Sequence, residues 1–177
     1  MSSKDIALSA ISAAIVGIAL TVGAYVEIID ICMLAIATIA VMLPLYKNLY
    51  WGSICAFFAG GLIGFFAGGM NIQRFIYPAY FFFAGLYPVI NALFVKWKLN
   101  KWLAHVIKLV WCFGAVYLIY WLSAVVWGLH FDYYWNFVKE NIWYILIAVS
   151  FVLYVLFDLC INQMQRFLSI YLTRIIK

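Results

Sequence analysis

Apolar residues run along this chain in long uninterrupted blocks, and the polar residues collect between them. Six blocks can be delimited, over residues 6–26, 28–46, 51–70, 75–95, 102–129 and 142–161. Most have about the 20 residues that an α-helix needs to cross a hydrocarbon core of roughly 30 Å. The fifth, with 28 residues, is long enough to tilt or to protrude into water. The connectors are short and leave no room for a soluble domain. The pattern predicts an all-α integral membrane protein, a six-transmembrane-helix bundle forming a single domain over residues 1–177. Residues 162–177 follow as an amphipathic C-terminal segment, with Met164, Phe167, Leu168, Tyr171, Leu172 and Ile175 on one face. That segment either continues the sixth helix or lies along the membrane surface. The first block is too long for the apolar core of a cleaved signal peptide and reads as a retained helix.

Within the third block, Gly52, Ala56, Gly60, Gly64 and Gly68 recur every four residues. Four residues turn a helix by about 400°, so these positions form one slowly drifting groove that admits a second helix. A second small-residue face is expected on the first helix at Ala7, Ala10, Ala14, Gly17 and Thr21, serving either a contact within the chain or a docking surface. In the fourth block, Pro88 frees the carbonyl of Ala84 and predicts a kink, with Gly85 and Asn91 close by.

The composition agrees with a membrane class: 69% hydrophobic, 20% aromatic and 10% charged residues, with a mean hydropathy of +1.09. The net charge of +5 could suggest nucleic acid, but the basic residues stand singly among apolar runs, so no nucleic-acid partner is expected. They act instead as an orientation signal. With both termini cytoplasmic, nine lie on or near the inner face (Lys4, Lys47, Lys96, Lys98, Lys101, Lys108, Arg166, Arg174 and Lys177), against Arg74 and Lys139 outside. Two ionisable side chains fall inside the apolar blocks at matching depth, Lys108 and Asp158. They are expected to pair or share a water, the alternative being that Lys108 extends to the headgroups while Asp158 faces the bundle. Cys32, Cys55, Cys112 and Cys160 sit in separate blocks without metal-ligand spacing and read as buried thiols.

No Ser/His/Asp set, HExxH, P-loop or dinucleotide fingerprint is present, so neither catalysis, a cofactor nor a metal is expected. The outer connectors nevertheless hold groups suited to a small-molecule ligand: Glu27 and Asp30 in the first, Asn71, Gln73, Arg74 and Tyr77 in the second, and Asp132, Tyr133, Tyr134, Trp135 and Asn136 in the third. Aromatic area with a few orienting polar groups is what a ligand mouth requires. An aromatic belt at the membrane interface is the competing account.

Under 200 residues, six helices, the small-residue face in SAISAAIVGIA and the glycine stripe in YWGSICAFFAGGLIGFFAGG together resemble the substrate-binding (S) component of energy-coupling factor transporters. The resemblance implies a vitamin- or nutrient-binding subunit of an ATP-driven importer in a bacterial plasma membrane, loaded from the outer side. It also implies that Ala10 and Ala14 dock onto a transmembrane coupling protein driven by two ATPase subunits. The acidic residue that many members carry after the glycine stripe is absent here. A weaker resemblance, to the MreD-like membrane proteins of cell-wall elongation, implies a scaffold without transport.

Overall fold

The computed structural model describes residues 2–70, 74–126 and 141–175. Among these residues seven α-helices follow in order: α1 (Ser3–Tyr25), α2 (Asp30–Leu45), α3 (Tyr50–Ala67), α4 (Ile76–Ala79), α5 (Tyr87–Lys96), α6 (Lys101–Val126) and α7 (Ile142–Ile175). A 3₁₀ turn, Glu27–Ile29, precedes α2, and a π-helical turn, Tyr80–Ala84, joins α4 towards α5. Among the described residues there is no strand.

Five stretches are long and apolar enough to cross a membrane: Ser3–Tyr25, Tyr50–Ala67, Ile76–Lys96, Lys101–Ser123 and Ile142–Phe167. The second apolar block forms α2, whose 16 residues cover only about 24 Å at 1.5 Å per residue. Among the described residues the fold is therefore all-helical, with five membrane-length helices and one shorter apolar helix. The amphipathic segment after residue 161 continues the preceding helix, so that α7 runs unbroken for 34 residues. Two compact units are formed, Met1–Lys98 with Ile161–Lys177, and Leu99–Cys160.

The first unit is built around α1, which packs against both α2 and α3. Its start is fixed by a capping box, with the Asp5 amide donating to Ser2 Oγ and the Ser2 amide to the Asp5 carboxylate. The glycine stripe of α3 meets α1 directly: a methyl group at Gly60 would lie 2.6 Å from Val16 Cβ and 2.7 Å from the Ala13 carbonyl oxygen. One at Gly64 would lie 2.6 Å from Leu20 Cβ. Both helices are also tied to α2 through hydroxyls. Ser12 Oγ donates to the Ala40 carbonyl and Ser53 Oγ to the Val41 carbonyl, both at 2.5 Å. The link from α2 to α3 is a tight turn closed by bonds from Asn48 to Leu45 and from Leu49 to Pro44, with Asn48 left-handed at φ 56°. Asparagine tolerates that conformation better than most residues.

The fourth apolar block stays helical from Ile76 to Lys96 and changes its hydrogen-bond pattern before Pro88. The Gly85 amide donates to the Tyr80 carbonyl five residues back, closing the π turn, and α5 restarts at Tyr87 with Pro88 in its first turn. There its missing N–H needs no partner. Gly85 fits at the end of the π turn because a methyl group there would lie 2.5 Å from the Phe57 ring. Asn91, buried on α5, donates to Asn162 Oδ1 at 3.0 Å and Gln165 Oε1 at 2.8 Å, and Gln165 returns a bond to the Pro88 carbonyl. These amides make the polar side of α7's end an inward contact.

In the second unit, α6 and the first half of α7 carry large apolar side chains outward, among them Trp102, Trp111, Trp121 and Trp143. Of the four cysteines only Cys112 is buried, which corrects the expectation for Cys32, Cys55 and Cys160. The physical reason is the solvent: an exposed face of a membrane helix meets hydrocarbon, where a thiol behaves as a small apolar group.

Candidate functional site

The expected ligand residues divide between described and undescribed parts of the chain. Asn71, Gln73, Asp132, Tyr133, Tyr134, Trp135 and Asn136 lie outside the described residues, as does the side chain of Glu27. Asp30 opens α2 and is partly exposed, and Arg74 is partly exposed just before α4. Tyr77 is placed differently from a mouth residue. Its ring is buried to 1% exposure beside Phe65, and its hydroxyl donates to the Gly64 carbonyl at 3.0 Å. Gly68 has no side chain because the same hydroxyl occupies that space. One turn on, Tyr80 donates to the Phe57 carbonyl at 3.2 Å, and at the end of α1 Tyr25 reaches the Ala67 carbonyl at 3.2 Å. Three tyrosines thus spend their hydroxyls on the backbone of α3.

A different polar cluster occupies the second unit. His105, Lys108 and Cys112 follow one another at steps of three and four on α6, while Ser150, Tyr154 and Asp158 are four apart on α7, so each set forms one stripe. Lys108 Nζ lies 2.7 Å from Asp158 Oδ1, with both residues under 10% exposed. His105 Nδ1 and the Tyr154 hydroxyl share a 2.5 Å hydrogen bond, and Cys112 Sγ donates to the Ser150 carbonyl at 3.3 Å. Ser150 Oγ itself bonds back to the Leu146 carbonyl. Among the described residues no buried side-chain polar atom lacks a partner. Where water is scarce, each such contact replaces hydration that the groups would otherwise lose, so the three rungs fix the register of α6 against α7. From sequence, Lys108 and Asp158 stand out as a pair and Asn91 only as a neighbour of the Pro88 kink, while the contact of His105 with Tyr154 is not foreseen. The repeated spacing of polar residues through apolar blocks is the signal that could have found them.

On α1 the small residues split between two faces. Gly17 is buried against Ile63, and Thr21 bonds to the Gly17 carbonyl, whereas Ala7, Ala10 and Ala14 are exposed beside Ile11 and Ile18. The helix therefore packs through Ser12, Val16 and Leu20 and leaves the Ala10–Ala14 face uncovered.

Membrane-length apolar helices, internally satisfied polar groups and a glycine-mediated helix core together define a multi-pass α-helical membrane protein. Comparison of the chain with protein-family models, with curated proteins and with solved structures gives no match.

Proposed function

We propose that this protein is the small-molecule-binding subunit of an ATP-driven importer of the energy-coupling factor type, taking up a vitamin or related nutrient from the outer side of a bacterial plasma membrane. The observation that carries the reading is the uncovered face of α1. Ala10 and Ala14 are exposed although the opposite side of the same helix packs closely against Gly60 and Gly64 of α3. Small residues on a lipid-facing surface offer a partner helix a close approach. The chain carries no nucleotide-binding motif, so energy must come from partner subunits. In this reading α2 is the sixth span. The 3₁₀ turn adds three residues at about 2.0 Å each to sixteen at about 1.5 Å, giving roughly 30 Å from Glu27 to Leu45. The termini are then cytoplasmic, with most lysines and arginines on that side.

The test is native mass spectrometry of the protein extracted gently from its own membrane, beside the Ala10→Trp variant. The expected result is a bound molecule of a few hundred daltons in both, with coupling protein and ATPase subunits retained by the parent and lost from the variant. An empty protein arriving with cell-wall elongation partners would overturn the importer in favour of a scaffold. Equal retention of ATPase subunits by Ala10→Trp would remove the docking role of this face.

A further inference from the structure

At the start of α1 a cleft of about 280 Å³ opens between α1 and the end of α2, lined by Lys4, Ala7, Leu8, Ile11, Leu43, Tyr46 and Lys47. Its walls are aliphatic and its rim is basic, an arrangement that neither a water-filled pocket nor a plain packing defect needs. Lys4 begins the membrane-length helix and Lys47 follows the last turn of α2, so both ammonium groups stand at the level where a span meets the membrane surface. Asp5 is the acid at this end, 4.0 Å from Lys47 Nζ, and the capping box already ties its carboxylate to the Ser2 amide. Lys96 adds to the positive field of the same end, held 4.4 Å over the ring of Tyr50, three residues after Lys47. The net charge at the mouth is therefore positive while the floor is hydrocarbon.

We propose that the cleft binds one anionic phospholipid, with its phosphate between Lys4 and Lys47 and an acyl chain lying along Ala7, Ile11 and Leu43. Each part follows from ordinary membrane chemistry. Basic side chains near the surface attract anionic headgroups, an aromatic ring such as Tyr46 sits at headgroup depth, and an apolar trough open to the bilayer takes up a chain. The site depends only on membrane embedding and not on the transport reading.

Native mass spectrometry of the purified full chain in detergent, titrated with phosphatidylglycerol or with phosphatidylcholine of the same acyl composition, tests the assignment. One lysine near an anionic surface contributes roughly a fivefold factor in affinity, and Asp5 offsets part of the pair's effect. Phosphatidylglycerol is therefore expected to bind at least about tenfold more tightly than phosphatidylcholine, and Lys4→Gln with Lys47→Gln should abolish that preference. Lys98→Gln, which removes a lysine outside the cleft, should leave it intact. Ile11→Trp, which fills the trough, should weaken both lipids, and matching helical circular dichroism checks that the variants fold. Unchanged preference in the double lysine variant would overturn the proposal. So would displacement of the lipid by millimolar inorganic phosphate, which would make the site a phosphate site, or a lipid-free dimer, which would put a second copy in the cleft.

Discussion

The two units hold their helices together by opposite means. In the first, small residues let backbones approach, and hydroxyl side chains such as Ser12, Ser53, Tyr77 and Tyr80 bond directly to the carbonyls of the neighbouring helix. In the second, side chains of α6 and α7 pair with each other through Lys108–Asp158 and His105–Tyr154. Burial follows the same division: 56% of the apolar window of Ile76–Lys96 and 44% of that of α1 are buried, against 17% for Lys101–Ser123. Lipid removes the penalty for leaving leucine or tryptophan exposed, so burial does not drive association as it would in water. What remains is contact quality, and the chain obtains it by close backbone packing in one unit and by polar rungs in the other.

The comparison breaks most readily at the ion pair. Asp158→Leu alone leaves a buried ammonium without its carboxylate and should destabilise the protein by about 3 kcal/mol, read as the shift of a denaturation transition in detergent. Adding Lys108→Leu removes the stranded charge and should recover most of the loss. If the double variant is no more stable than the single one, the loss comes from removing the pair itself and not from a stranded ammonium. Next in size comes Gly60→Ala in the first unit. The added methyl meets the Ala13 backbone as well as Val16, and backbone cannot swing aside. A loss of about 2 kcal/mol in the same measurement is expected, since overpacking of this kind costs about 1–3 kcal/mol. A neutral Gly60→Ala would show that α1 and α3 are not locked by close approach.

Much of this division is written in local sequence. The glycine stripe could be read because a period of four survives unchanged from sequence to helix face, and α3 presents Gly60 and Gly64 to α1. Lys108 and Asp158 stood out because an ionisable group within an apolar block has few alternatives to a partner. Tyr77 reads as a mouth residue from its position in a connector, but α4 begins at Ile76 and turns the ring inward, towards the space left at Gly68 just after α3. The bond from Asn91 to Gln165 joins residues 74 positions apart, and no periodicity within either helix encodes it. The π turn before Pro88 lies between the two cases. Proline announces that the helix is perturbed, while the π turn that absorbs the perturbation depends on Phe57 pressing against Gly85.

The smallest effect sharpens the comparison furthest, because it repeats the substitution used at Gly60 in the other unit. Gly114 lies within α6, and a methyl group built there has no heavy atom within 4 Å. Nothing in the unit then opposes the ordinary preference of a helix for alanine over glycine, which amounts to roughly 0.5–1 kcal/mol in water. In lipid the gain shrinks, since the dissociated helix keeps its backbone hydrogen bonds and the reference state is itself helical. Gly114→Ala should therefore be neutral or stabilise by less than about 0.5 kcal/mol, the opposite sign to Gly60→Ala, in the same detergent denaturation assay. A loss comparable to that at Gly60 would mean that another surface approaches the α6 backbone closely in the folded protein. The second unit would then share the packing logic of the first, and the polar rungs would be its supplement rather than its basis.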